Sequence, residues 1–219
     1  MNYQDINAVT IDRWIDEGWE WGVPISHDTY VKALAGEWDM LLTPTKFVPH
    51  SWFGELRGKK VLGLASGGGQ QMPIFAALGA ECTVLDYSEK QLESERIVAD
   101  REGYEIEIIR ADMTKPLPFA DETFDKIITV ESFYFWPDPG ENLKEVRRVL
   151  KKNGHFLLVA ETYDNPAMSD RERENVAMYH LFNPTKEKFE ELFEKAGFKN
   201  IQIHTKNGEE WICVDGTRL

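Results

Sequence analysis

The sequence predicts an α/β fold: a doubly wound, mostly parallel seven-stranded sheet with an antiparallel last strand, preceded by a Trp-rich N-terminal helical extension. Three observations predict it. From Lys59 onward, short apolar runs alternate with helical stretches five or six times. Each switch is punctuated by glycine, proline or a strand-end aspartate. The chain then ends in two strand-like runs separated by Asn207-Gly208, a dipeptide that favours a tight hairpin. Alternation implies parallel pairing with helices on both faces, and the hairpin adds an antiparallel edge.

The elements follow in order. Residues 1–57 form the extension and 58–219 the regular domain. The extension holds five of the seven tryptophans (Trp14, Trp19, Trp21, Trp38, Trp52) and short helical patches at Ile11–Gly18 and Thr29–Ala35. Large rings bury much area per residue, so this segment is expected to pack as a lid on the domain. Val61–Ala65 is a continuous apolar run, as in a strand buried on both faces. Gly67-Gly68-Gly69 follows, then a helix over Gln70–Leu78 stopped by Gly79. Glu81–Leu85 is the second strand, closed by Asp86. Ser88 caps a helix running to about Arg101, and Gly103 stops it. Strands are expected at Glu105–Arg110 and Phe124–Val130, with a Pro-rich stretch (Lys115–Phe119) between them. A helix over Gly140–Leu150 leads through the turn Lys152-Asn153-Gly154 to a strand at His155–Ala160. Residues 161–183 read as irregular or helical. Pro184 opens a helix to Ala196, ended by Gly197, and the last strands are Phe198–Thr205 and Glu210–Asp215.

Composition excludes several classes. Lys and Arg total 25 against 38 Asp and Glu, a net charge of −13, which disfavours a nucleic-acid partner because phosphate binding needs a basic footprint. Two cysteines, Cys82 and Cys213, are too few for a disulfide framework or a Cys-based zinc site. No His/acid set has metal-ligand spacing, so no metal is expected. No signal peptide, lipidation motif or membrane-length apolar run is read, and a cytoplasmic protein is the expectation.

The chemistry-bearing motif is the loop after the first strand. A tight strand-to-helix turn needs one glycine, whereas three in succession suit a backbone passing close beneath a ligand. In such sheets ligands bind beyond the carboxyl ends of the strands. The register Gly67-x-Gly69-x-x-Met72 puts a bulky residue where the dinucleotide fingerprint needs Gly or Ala, and no Gly-Lys-Ser/Thr follows. A nucleoside-type ligand remains, with an NAD(P)-linked oxidoreductase as the rival from the same fold. Asp86, 17 residues after Gly69, is placed to accept from ribose hydroxyls. Asp112, in Arg110-Ala111-Asp112-Met113, is placed to accept from an adenine amino group, with Met113 offering its backbone N–H and an apolar side chain.

Taken together, Val61 to Gln70, Leu85-Asp86-Tyr87-Ser88, Ala111-Asp112-Met113 and Phe124–Ile128 resemble a class I S-adenosylmethionine-dependent methyltransferase, across about residues 58–215. The resemblance implies S-adenosylmethionine as cofactor, S-adenosylhomocysteine as product and a small-molecule acceptor. It implies that Gly67 and Gly69 approach the methionine and ribose, that Asp86 takes the ribose hydroxyls and Tyr87 the adenine face, and that Asp112 and Met113 take the adenine edge. Two departures stand out: Gly63 replaces the family's acid and Ala65 its first glycine. Ser66, Gln70 or Gln71 is then expected to serve the methionine ammonium. The segment up to about Asp125 and the segment from about Val130 resemble different subgroups, so a hybrid chain, or a cofactor-binding protein without turnover, is a further alternative.

Methyl transfer from a sulfonium needs alignment and dryness more than a catalytic dyad. Candidates for proton acceptance are Glu131, after the fourth strand, together with Tyr134 and His27. Glu131 is also counted among the cofactor-site residues. Phe133-Tyr134-Phe135-Trp136 is a candidate pocket wall, and Tyr30, Trp38 and Thr43 are candidate lid contacts.

Overall fold

The computed structural model describes residues 3–43, 46–205, 208 and 210–219. In chain order it contains α1 (Tyr3–Asp16), α2 (His27–Leu34), β1 (Leu41–Thr43), β2 (Lys46–Phe47), β3 (Lys60–Leu64), α3 (Met72–Ala77) and β4 (Glu81–Asp86). There follow α4 (Glu89–Glu102), β5 (Ile106–Arg110), β6 (Phe124–Val130), α5 (Pro139–Val149) and β7 (Leu150–Ala160). The chain ends with α6 (Asp170–Tyr179), α7 (Lys186–Ala196), β8 (Lys199–Thr205) and β9 (Ile212–Thr217). The fold is the expected one: an α/β protein with a seven-stranded, mostly parallel sheet and an antiparallel last strand.

Two compact units divide the chain. Unit one, up to Met40 and then Val48–Pro118, carries strands in the order β5-β4-β3, paired in parallel. Its core strand β3 is buried from Val61 to Leu64, because apolar side chains on both faces leave no polar side to present to water. Ser88 caps α4 by accepting from the Gln91 amide at 3.1 Å, and Gly103 ends it in the left-handed region, where a side chain would be strained.

Unit two, Leu41–Phe47 and Phe119–Leu219, carries β6-β7-β9-β8 and the small β1–β2 pair. Asp138 caps α5 ahead of Pro139, and Thr185 and Gly197 bracket α7. Its core is aromatic: Phe133, Phe156, Phe189, Phe193 and Phe198 are each no more than 1% exposed.

Several boundaries differ from the sequence reading. The helix expected from Gln70 begins at Met72, since Gly68 and Gly69 adopt positive φ and keep the chain irregular up to Gln71. The turn expected at Lys152-Asn153-Gly154 lies inside β7. Between Phe124↔Leu150 and Lys126↔His155, two steps along β6 face five along β7, so the extra residues bulge, with Asn153 at φ +63°. The antiparallel strand is not at the edge either. β9 sits between β7 and β8, bonded on both sides and buried, which leaves β8 outermost. Asn207 of the expected hairpin turn lies outside the described residues. Helix α1 begins eight residues earlier than the expected Ile11, the β1–β2 pair has no counterpart in the sequence reading, and α6 falls within residues 161–183, read as irregular or helical. No helix among the described residues is long and apolar enough to cross a membrane.

Candidate functional site

Strand β4 ends on Asp86, whose carboxylate is held by three backbone amides. Its Oδ1 accepts the Tyr87 and Ser88 amides at 2.7 and 3.0 Å, and its Oδ2 accepts the Gly67 amide at 3.0 Å. A carboxylate has about four acceptor positions, so roughly one remains for a ligand hydroxyl. Burial raises the Asp86 pKa, the Ser88, Gly67 and Tyr87 amides pull it down, and nearby Asp12 raises it again.

The glycine loop is shaped by its neighbours as much as by any ligand. A Cβ on Gly67 would stand 2.5 Å from Gln91 Cβ and 3.0 Å from Asp86 Oδ2. On Gly68 it would meet Gln91 Oε1 at 2.7 Å and the Trp21 carbonyl at 3.0 Å; on Gly69, Pro24 Cβ at 2.8 Å and the Ser94 carbonyl at 2.9 Å. The triple glycine therefore lets the loop nest between α4 and residues 21–24 of the extension. The Ile25 amide donates to the Gly69 carbonyl at 2.9 Å, and Gln70 Nε2 donates to the carbonyls of Glu20 and Val23.

Of the two departures, the one at Gly63 has a steric reason and the one at Ala65 carries a backbone cost. A Cβ on Gly63 would lie 2.8 Å from Met72 Sδ, so the fully buried Met72 fills the space an acidic side chain would need. Ala65 takes φ +50°, a left-handed conformation that favours glycine. Ser66 is buried at 5% exposure, its hydroxyl 3.5 Å from the Leu64 carbonyl. Gln70 is spent on the extension. Gln71 Oε1, by contrast, is buried with no partner, an acceptor suited to a cationic donor such as an ammonium group.

Helix α1 covers the ends of β4 and β5. Tyr87 donates its hydroxyl to Asp5 at 2.8 Å, Ser88 donates its hydroxyl to Asp12 at 2.5 Å, and the Lys90 amide also reaches Asp12 at 3.2 Å. Gln4 donates to the Thr114 hydroxyl at 3.2 Å. Arg110 stacks its guanidinium 5.3 Å from the Tyr87 ring centroid, and Asp112 turns back to accept the Thr114 amide at 2.9 Å. Asp86, Tyr87, Asp112 and Met113 are thus gathered at the strand ends as the sequence suggested. The α1 contacts were not foreseen. Their signal is the spacing of Asp5 and Asp12, two turns apart on one helical face.

Other candidates lie apart from this cluster. His27 Nδ1 pairs with Glu102 at 2.8 Å, at the C-terminal end of α4. Fourteen helical residues separate that end from Ser88, roughly 20 Å at 1.5 Å per residue. Tyr30 is buried and stacks on Tyr104, and Trp38 stacks on His50. The Thr43 side chain lies outside the described ones.

In unit two, Glu131 follows the last residue of β6 and takes φ +58°. Its Oε2 accepts the Tyr134 hydroxyl at 3.1 Å, and that hydroxyl in turn accepts the Thr162 amide at 3.1 Å. Its Oε1 is buried without a partner. Burial, aided by Glu161, pushes the Glu131 pKa up to about 8, against the Tyr134 hydroxyl and the Glu161 amide. The adjoining aromatics divide. Phe133 and Trp136 pack into the core, Phe135 is 52% exposed, and only Tyr134 joins the acid. Among the described residues no group of three or more His, Cys, Asp or Glu side chains is placed to hold a metal.

The chain is similar to known methyltransferases. A methyltransferase domain model matches residues 62–158. An uncharacterized methyltransferase of Bacillus subtilis, YbaJ, is 43% identical over 151 residues, 69% of this chain and 59% of that protein. A chloroplastic 2-methyl-6-phytyl-1,4-hydroquinone methyltransferase of Oryza sativa is 33% identical over 161 residues, 70% of this chain and 45% of its own. The chain thus spans about half the length of these curated relatives. Among solved structures, an S-adenosylmethionine-dependent methyltransferase from Mesorhizobium loti superposes with a TM-score of 0.64 at 19% identity, covering 77% of this chain and 94% of that one. A possible histamine N-methyltransferase from Thermotoga maritima gives 0.63 at 19% identity, over 95% and 98%. Fold, ordered motifs and domain model together define a Rossmann-like nucleoside-cofactor protein. These findings support a class I S-adenosylmethionine-dependent methyltransferase fold for this chain, and the cofactor of that family is S-adenosylmethionine.

Proposed function

We propose that the protein transfers a methyl group from S-adenosylmethionine to a small-molecule acceptor by in-line displacement. The observation that carries this reading is the Asp86 carboxylate, fixed by three amides at a strand end with acceptor capacity to spare. In this reading Asp86 takes a ribose hydroxyl, Tyr87 the adenine face, and Asp112 with Met113 the adenine edge. Gly63 near the end of β3 and Ala65, Ser66, Gly67, Gly69 and Gln70 in the loop after it lie beside the ribose and methionine, and Gln71 Oε1 serves the ammonium group. The bound cofactor supplies a methyl already activated on positive sulfur. The chain's own task is to orient the acceptor and exclude water. Residues 1–57 act as the lid of the domain formed by 58–219, and α1 closes the adenine side through Asp5 and Asp12.

Glu131 takes the acceptor's proton where one must leave. A carboxyl that titrates near 8, with one free oxygen, is matched to that role near neutral pH. The names of relatives support a small acceptor: hydroquinone, sterol and demethylmenaquinone methyltransferases occur among them. Two free buried thiols, Cys82 and Cys213, favour a cytoplasmic setting.

Calorimetry with S-adenosylhomocysteine tests the cofactor assignment. The protein is expected to bind it, and Asp86→Ala to weaken binding by about 1.5–3 kcal/mol, the range for hydrogen bonds to a charged group. Unchanged affinity in a folded Asp86→Ala variant, or binding of NADH instead, overturns it. Labelled-methyl transfer to a panel of hydroquinones, amines and thiols tests the reaction. Glu131→Gln should lower turnover about 100-fold for acceptors that must lose a proton. Cofactor binding with no turnover on any acceptor would favour a binding protein.

A further inference from the structure

We propose that Glu95 is a positioning residue for the cofactor loop: from inside α4 its carboxyl fixes the Gly69 amide, and with it the Gly67–Gly69 turn. This rests on the reading that the loop and Asp86 receive the cofactor. Three consecutive loop amides are each tied to β4 or α4. Gly67 donates to Asp86 Oδ2 at 3.0 Å, Gly68 to the Gln91 carbonyl at 2.9 Å, and Gly69 to Glu95 Oε1 at 2.8 Å. Gln91 and Glu95 are four residues apart, so they lie on one helical face and strap the loop along it. The Gln91 bond is made by backbone, and Asp86 is itself the candidate for sugar contact. Among the described residues, Glu95 is thus the side chain that restrains these amides without belonging to the ligand-contacting set.

Its surroundings show what the restraint displaces. Glu95 has no solvent exposure and stands in the apolar stripe of α4 with Leu92, Val98 and Ala99. Its Oε2 is buried with no partner. An acid so placed is costly, and replacing buried ionisable groups by well-packed apolar ones is often neutral or stabilising. Core packing alone would therefore favour leucine at this position. What glutamate adds is one acceptor aimed at Gly69, in a loop whose Gly68 and Gly69 have φ of +101° and +68° and no side chains to hold them. Gly63 in β3 and Ala65 just after it depart from the family pattern, and the strap restrains from below the turn that follows them.

Three variants separate the possibilities. In Glu95→Leu, amide exchange at Gly69 should become at least tenfold faster, the S-adenosylhomocysteine Kd should rise at least tenfold, and KM for S-adenosylmethionine should rise while kcat stays within threefold. Glu95→Gln keeps the carbonyl acceptor and should restore both exchange protection and Kd to within threefold of the parent. Asp86→Ala tests the underlying site. If Asp86→Ala binds as the parent does, the site reading fails. If Asp86→Ala loses binding but a folded Glu95→Leu does not, the Glu95 proposal alone fails. Loss of binding in a folded Glu95→Gln also overturns it, because the charge and not the acceptor would then matter. Should Glu95→Leu not fold, the Gln variant and Gly69 exchange in Glu95→Ala decide the question.

Discussion

Substituting Glu95 by Gln should change how stability depends on pH, and the size of the change follows from burial. Withdrawal from solvent, reinforced by Asp86, pushes the Glu95 pKa up to about 8, although the Gly69 amide pulls the other way. In the unfolded chain a glutamate titrates near its ordinary value, about 4.3. Between these values the folded protein holds a proton that the unfolded chain has lost, so stability falls as pH rises. The slope is about 1.4 kcal/mol per pH unit for one such group, or about 2 kcal/mol between pH 6.0 and 7.5. Cys82 and Tyr104, which also face Glu95, are pushed upward by burial and stay neutral throughout. Glu131 titrates in the same range but contributes equally to parent and variant, so it cancels in the difference. Urea unfolding of both proteins at the two pH values is the assay. Glu95→Gln should gain about 2 kcal/mol on the parent at the higher pH, whatever its offset at the lower one. An offset equal at both values would show that Glu95 is already ionised when folded, and the desolvation argument would fall.

Three further outcomes are expected. Ala65→Gly should relieve about 1–2 kcal/mol of left-handed strain at φ +50° against about 0.4–1 kcal/mol of added chain entropy, for a net gain of about 0–1.6 kcal/mol measured by urea unfolding. Gly69→Ala should cost about 2–4 kcal/mol, because φ +68° disfavours a side chain and the new Cβ meets Pro24 and the Ser94 carbonyl; a stable variant would mean that the loop is not wedged as described. Asp12→Ala removes the acceptor of the Ser88 hydroxyl and Lys90 amide, so α1 should become more open to proteolysis and S-adenosylhomocysteine should dissociate faster in stopped-flow displacement.

Much of this could be read from the chain. Buried strands announce themselves as short apolar runs, and Asp86 ends one of them beside a glycine loop. Helix caps such as Ser88, Thr185 and Gly197 follow from local chemistry that survives in the fold. What could not be read depends on neighbours distant in sequence. The bulge at Lys151–Gly154 looks like a turn because Asn153-Gly154 favours one locally, yet the β6 pairs that flank it and the backbone bonds of Asn153 and Gly154 to Arg218 hold it within a strand. Phe133 and Trp136 look like a pocket wall until Phe182 and Phe189 from later segments surround Phe133.

The loop shows why motif and packing readings need each other. Three glycines suggest a ligand passing close, but each missing Cβ is also required by a protein atom within 3.0 Å, from α4, Asp86 or the extension. Gly63 looks like a lost acid, but Met72 occupies the space its side chain would need, so the two positions are expected to be coupled. Restoring the acid alone, as Gly63→Asp, should therefore not improve cofactor binding; it should destabilise the protein by driving a carboxylate into Met72. Gly63→Asp combined with Met72→Ala makes room for it and should recover part of that loss. Urea midpoints of the two single variants and the pair measure this coupling. Strictly additive effects would mean that Gly63 and Met72 are independent, and that the absent acid has some other cause.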